Sequence, residues 1–171
     1  MSNIMLVKLQ EKHFEKLFKF ELENRGYFEE MVPSRGDDYY NLETFIQRNK
    51  ALIDEQDQGL SYFYLIMNQE GVVLGRMNLV DIEQPKRRGH VGYRVGKAYT
   101  GKGIANKALR ILLDTTNQLG IRQISAKTTT INIASRKILE KNEFQYIETA
   151  KDEFKMNGHL LSFIYYRWEK S

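Results

Sequence analysis

The segment that most constrains this chain runs from Gly89 to Gly120. A strand pattern, GHVGYRV, passes without a spacer into a glycine loop, GKAYTGKG (Gly96–Gly103), and then into an amphipathic helix. Ile104, Ala105, Ala108, Leu109, Leu112 and Leu119 share one side of that helix, and Gly120 ends it. Gln123–Thr129 reads as the next strand. Two strands joined through a helix supply a parallel pair, so the stretch predicts a β-α-β unit with a glycine turn at its mouth.

The rest of the chain extends this unit into a mixed α/β sheet. Met5–Gln10 is a short strand pattern, and Glu11–Asn24 places Phe14, Leu17, Phe18 and Leu22 on one helical face. Gly26–Asp38, with Pro33 and Gly36, reads as a loop, and Tyr39–Glu55 as a second helix. Ser61–Met67 and Val72–Val80 flank Asn68-Gln69-Glu70-Gly71 as a hairpin. After Gln123–Thr129 come a helix at Asn132–Lys141 and two closing strands, Phe144–Ala150 and Leu160–Trp168, joined by a turn near Asn157-Gly158. Tyr165, Tyr166 and Trp168 alternate as strand residues that pack the core. The order is β-α-α-β-β-β-α-β-α-β-β. With 171 residues and no linker or repeat, residues 1–171 are expected to form one domain.

The glycine loop narrows the chemistry. Gly96, Gly101 and Lys102 fit the nucleotide-binding pattern G-x-x-x-x-G-K-[ST], but Gly103 stands where the magnesium-binding hydroxyl belongs. A dinucleotide fingerprint fails as well: Asn106 replaces its third glycine, and Ile121–Lys127 lacks the acidic residue. What remains is a metal-free anion cradle. Backbone N–H groups converge at a strand-to-helix turn, the helix adds its positive end, and Ala105 is small enough for close approach. No cysteine is present, which excludes disulfides, thiolate metal sites and a cysteine nucleophile. No His/Asp/Glu cluster has metal-ligand spacing, so no metal is expected. The net charge of +4 is mild, and Lys86-Arg87-Arg88 after Pro85 reads as a solvated turn. There is no membrane-span pattern or signal-peptide pattern, so a cytoplasmic protein is expected.

VGYRVGKAYTGKGIANKAL resembles the acyl-CoA-binding motif of the GNAT superfamily of N-acetyltransferases, Q/R-x-x-G-x-G/A after a central strand. Thr100-Gly101-Lys102-Gly103-Ile104-Ala105 matches it, with Thr100 in place of Gln or Arg. A second superfamily pattern, N-x-x-S before a helix that ends in E-K-x-G-F, is similar to Asn132–Ser135 with Glu140–Phe144, Glu143 standing for glycine. The style is nearest the branch that acetylates ribosomal-protein N-termini. The resemblance implies a mostly antiparallel sheet flanked by helices, with the central β-α-β unit carrying the pyrophosphate loop. It implies acetyl-CoA as co-substrate, gripped by Thr100–Ala105 and by backbone contacts from Tyr93, Arg94 and Val95. Asn132 would lie near the cofactor, and Ser135 near the thioester sulfur as a general acid.

Without a thiol nucleophile, direct transfer to an amine is the expected mechanism. Glu83, Asp81 and His90 flank the central strands and are the candidate bases; His13 and His159 receive no role. Asn132 at a helix start also reads as an N-cap. The acceptor site is expected between the first two helices and the later strands, with Glu21, Asn24, Arg25 and Phe28 as candidate contacts. The acceptor is expected to be a protein N-terminus or a small amine (polyamine, amino acid or antibiotic). A non-catalytic acyl-CoA- or RNA-binding module is the competing reading. Direct nucleic-acid or membrane contact is not expected, and the chain is expected to be a monomer or homodimer.

Overall fold

A computed structural model describes residues 3–31 and 33–170. Residues 1, 2 and 171, and Val32 inside the segment expected to be a loop, lie outside it. Strand β1 (Ile4–Lys8) leads through a 3-10 turn at Glu11–His13 into helix α1 (Phe14–Glu23). A short helix α2 (Arg25–Glu29), a 3-10 turn at Asp37–Tyr40 and helix α3 (Leu42–Asp57) follow. Strands β2 (Tyr62–Asn68), β3 (Val73–Glu83) and β4 (Arg88–Val95) form a meander. Helix α4 (Ile104–Leu119), strand β5 (Gln123–Thr129), helix α5 (Ile133–Lys141) and strand β6 (Gln145–Thr149) come next. A small hairpin, β7 (Phe154–Met156) and β8 (His159–Leu161), precedes the last strand, β9 (Phe163–Glu169).

Seven strands make one sheet in the order β1-β2-β3-β4-β5-β9-β6. Among the described residues only β4 and β5 run parallel, and α4 is the crossover that such a pair requires. The sheet is mixed and mostly antiparallel, as expected. Alternate residues of β2 serve two cores, which explains its unbroken apolar run. Tyr64 and Ile66 pack with Met77, Leu79 and the buried stripe of α4, Ala108, Leu109 and Leu112. Phe63, Leu65 and Met67 pack on the opposite face with Phe14, Leu17, Phe20, Phe28 and Phe45.

Several local expectations are corrected. The segment Gly26–Asp38 contains most of α2, and the helix expected from Tyr39 begins at Leu42, where Asn41 caps it by accepting from Thr44 N at 3.2 Å. Leu22 does not face the core: it is 45% exposed, while Phe20 and Glu21 on α1 are buried. The turn at Asn157-Gly158 does not join the two closing strands. It belongs to the β7–β8 hairpin, which is clipped to α2 through Asn157 Nδ2 to the Glu29 and Glu30 carbonyls, both at 3.0 Å.

The buried Glu21 is the feature of α1 with the largest energetic consequence. Burial alone would raise its pKa, but the charges of Arg76 and Arg94 outweigh that and hold it below the ordinary carboxylate value. A carboxyl depressed in the folded state adds stability above its unfolded pKa, and that stability is lost as pH falls through the folded value. Glu21→Gln is therefore expected to cost about 3 kcal/mol at neutral pH, because it leaves the buried Arg76 and the half-buried Arg94 without their shared counter-charge. Urea unfolding between pH 7 and pH 3 checks this: the deficit should shrink as the pH drops.

Candidate active site

The parallel pairing between β4 and β5 is short. Rungs join Arg88–Val91 to Gln123–Ala126 and then stop. Beyond them, β4 stays with β3, Gly92 opposite Asn78 through Val95 opposite Gly75. The remainder of β5, Lys127–Thr129, stays with β9. The two halves of the sheet thus part at Gly92. From there to Val95 the β5-facing backbone edge of β4 has no strand partner among the described residues, and backbone polar groups in such a position call for one.

The open edge leads into the glycine loop. A 3-10 turn at Lys97–Tyr99 is closed by Thr100, whose Oγ1 donates to the Lys97 carbonyl at 2.9 Å. Gly101 and Gly103 both have left-handed backbones, φ 74° and 75°, which favour glycine. A Cβ built on either would meet nothing within 4 Å, so the outer face of the loop is open. Gly103 caps α4, and buried Ile104 anchors the first turn in the core. The first N–H groups of a helix have no intrahelical partners, and they add to its positive end. The exposed turn at Thr100–Gly103 thus runs into the N-terminus of α4, an arrangement of backbone N–H groups that suits an anion.

Across the gap stands the start of α5. Asn132 Oδ1 accepts from Ser135 N at 3.2 Å, the N-cap expected from its position. The Tyr93 side chain, unlike that of Arg94, turns to the α4 face and brings its hydroxyl near Ser135. Among the described residues the buried phenol has no partner in full hydrogen-bond geometry. Burial pushes the Tyr93 pKa up to about 12, tempered by the Ser135 hydroxyl, and keeps the phenol neutral at pH 7. This pair was missed in the sequence, where Tyr93 entered only for its backbone.

On the other face, α1 grips the same strand. Arg94 Nη2 donates to both Glu21 oxygens at 2.6 Å, and Arg76 Nη1 donates to Glu21 Oε1 at 3.0 Å. Arg76 is also tied to the Tyr39 hydroxyl at 3.1 Å and to Asn49 Oδ1 at 3.3 Å. Asn24 Oδ1 accepts from Lys97 N at 2.8 Å, holding the entry of the loop. Gly96 leaves room for this contact, since a Cβ there would lie 2.9 Å from the Phe20 ring. Arg76 was also missed; a lone arginine inside the apolar run Val72–Val80 is the signal that would have found it, because such a charge needs a buried partner. A cavity of about 880 Å³ adjoins the loop on this side, rimmed by Lys16, Lys19 and Lys97.

The candidate bases are not brought to the gap. Glu83 is paired with Arg88 and Lys86 at the far end of β4, four residues before Gly92 and roughly 13 Å away along the strand. Asp81 is exposed at an irregularity of β3, and His90 is exposed on β4. His13 is a cap whose Nδ1 accepts from Gln10 N at 3.1 Å, and His159 lies on the β7–β8 hairpin. Arg25 is engaged by Glu29 and Asp37 at the rim, and Phe28 is buried beneath Arg94. Tyr166 and Trp168 pack into the α4-side core, with Tyr165 on the opposite face. Among the described residues no group of three or more His, Asp or Glu is arranged to hold a metal, and no helix is long and apolar enough to cross a membrane.

Comparison with known proteins agrees with this geometry. The acetyltransferase (GNAT) domain family matches residues 3–145. The probable N-acetyltransferase YjcK of Bacillus subtilis (strain 168) is 30% identical over 139 residues, spanning 80% of this chain and 77% of that protein. The putative ribosomal N-acetyltransferase YdaF of the same organism is 27% identical, over 96% of this chain and 90% of its own. In fold, the ribosomal-protein-S5-alanine acetyltransferase of Vibrio fischeri superposes with a TM-score of 0.91 at 21% identity, covering 100% of this chain and 95% of that one. A RimL ribosomal L7/L12 α-N-protein acetyltransferase in complex with coenzyme A gives 0.88 at 20% identity, covering 99% and 96%. The sheet that parts at Gly92, the loop that follows it and this family match together mean that the chain belongs to the GNAT acetyltransferase family.

Proposed function

We propose that this protein moves the acetyl group of acetyl-CoA directly to a primary amine, with the N-terminal α-amino group of a protein as the acceptor class. The observation that carries the reading is the open edge of β4 running straight into an accessible glycine cradle at the start of α4. Acetyl-CoA supplies an activated acetyl thioester. The N–H groups of Thr100–Ala105 suit its diphosphate, and the free edge of Tyr93, Arg94 and Val95 suits an extended amide chain. A backbone N–H on that edge can also hold the carbonyl oxygen as it gains charge. Ser135 donates a proton toward the leaving sulfur, backed by the neutral Tyr93 phenol, while Asn132 holds the first turn of α5 in place. The amine forms the new C–N bond as the C–S bond breaks, and its surplus proton leaves to water.

No carboxylate is needed at the gap for an α-amino acceptor. Its pKa is about 8, against about 10.4 for lysine, so a useful fraction is already neutral near pH 7.5. The relatives with ribosomal acceptors in their names support an N-terminal acceptor.

Gly103→Asp is expected to abolish stabilisation by coenzyme A, because it sets a negative charge at the helix end that must meet phosphates. Thermal melting with coenzyme A checks this, with Gly103→Asn, which tolerates the left-handed backbone without charge, retaining part of the shift. Ser135→Ala keeps the backbone N–H that Asn132 caps and should lower kcat by roughly 100-fold, leaving the coenzyme A affinity nearly unchanged. Steady-state thiol release on an N-terminal peptide measures both constants.

A further inference from the structure

Arg94 is held with one edge of its guanidinium open. Nη2 is spent on the two Glu21 oxygens, and the Phe28 ring lies 4.4 Å from the guanidinium carbon. Nε is buried without a partner; among the described residues no hydrogen-bond partner is found for Nη1, and the side chain keeps 15% exposure. Positive charge outweighs negative charge here. Glu21 is shared with the fully buried Arg76, while the neighbouring carboxylates Glu29 and Asp37 are both engaged by Arg25. Burial pushes the Arg94 pKa down; Glu21 counters this, and the like charges of Arg35 and Arg76 add to the fall. A second anion would relieve that strain on the cation.

The position of Arg94 relative to the gap gives this open edge a use. Arg94 and Gly92 point to the same face of β4, two residues and about 6.6 Å apart. Gly92 is the first β4 residue past the last rung to β5, and a Cβ on it would meet nothing within 4 Å. An amine brought to the gap over Gly92 thus has a fixed, half-used guanidinium within a few bonds' reach.

We infer that Arg94 is a specificity-determining residue that reads a carboxylate on the acceptor, favouring N-terminal peptides with an acidic side chain in the first two residues. This rests on the N-acetyltransferase reading above. The fork offers Nη1 to one carboxylate oxygen in a charge-assisted bond, and its clamp on Glu21 means little ordering is lost on binding. A polyamine, or a peptide with lysine in the same place, meets a like charge instead.

The test is thiol release from acetyl-CoA with matched peptides that begin with serine and carry glutamate, glutamine or lysine second, beside free glutamate and spermidine. The wild-type protein should use the glutamate peptide about tenfold or more better in kcat/KM than the lysine peptide, with the gap narrowing at high salt. Arg94→Gln should bring the ratio close to one, at a lower melting temperature because the buried Glu21 loses a partner. Arg94→Lys, which keeps the charge beside Glu21, should retain part of the preference. Faster use of free glutamate than of any peptide would support the carboxylate reading, with an amino acid as its source. Equal use of lysine and glutamate peptides, strong use of spermidine, or no use of any acidic acceptor overturns the inference, whatever the variants do. Absence of a coenzyme A shift in the wild-type protein would overturn the acetyltransferase reading itself, and this inference with it.

Discussion

Past Val91 the backbone of β4 has, among the described residues, a paired strand on one side only. Everything at the site follows from that divergence. β3 and β9 each draw one of the two parallel strands away, so the gap is built by the pairing preferences of the whole sheet. The loop that ends β4 can then deliver its N–H groups and the positive end of α4 to the mouth of the same gap.

A half-paired strand needs support from elsewhere, and α1 supplies it. Glu21 fixes the Arg94 side chain, and Asn24 holds Lys97 N at the start of the loop. Phe20 closes over Gly96 so tightly that no side chain fits there. The helix therefore grips the strand just before it becomes the cradle. A buried carboxylate shared by two arginines is a costly way to fasten a helix to a sheet, since desolvation offsets much of the ion-pair attraction. Its geometric specificity is the compensating feature: Arg94 Nη2 reaches both Glu21 oxygens and Arg76 Nη1 reaches one, so donors from β3 and β4 together fix where α1 sits.

The sequence carried the central unit well. Gly89–Val95, the glycine loop and the stripe from Ile104 to Leu119 each obey one local rule, and all three stand in the structure. Elements governed by distant contacts were harder to read. Leu22 looked like a core residue by spacing, yet Glu21 takes the inward position because Arg76 and Arg94 wait for it 55 and 73 residues later. The β7–β8 hairpin was hidden because its strands are three residues each, too short for a period to register. At the site, the loop and the Asn132 cap were legible as local motifs. The approach of Tyr93 to Ser135 was not, because it depends on which face of β4 each residue takes once β5 has turned away.

Amide hydrogen exchange of the full chain, with and without saturating coenzyme A, tests the open strand edge most directly. Opening free energies report on individual backbone N–H groups, so the two segments of interest can be followed separately. The geometry predicts slowed exchange within Gly92–Val95 and Gly101–Asn106 on binding, with β5–β9 amides unchanged. Binding of coenzyme A with no protection in either segment would contradict the role assigned to the gap.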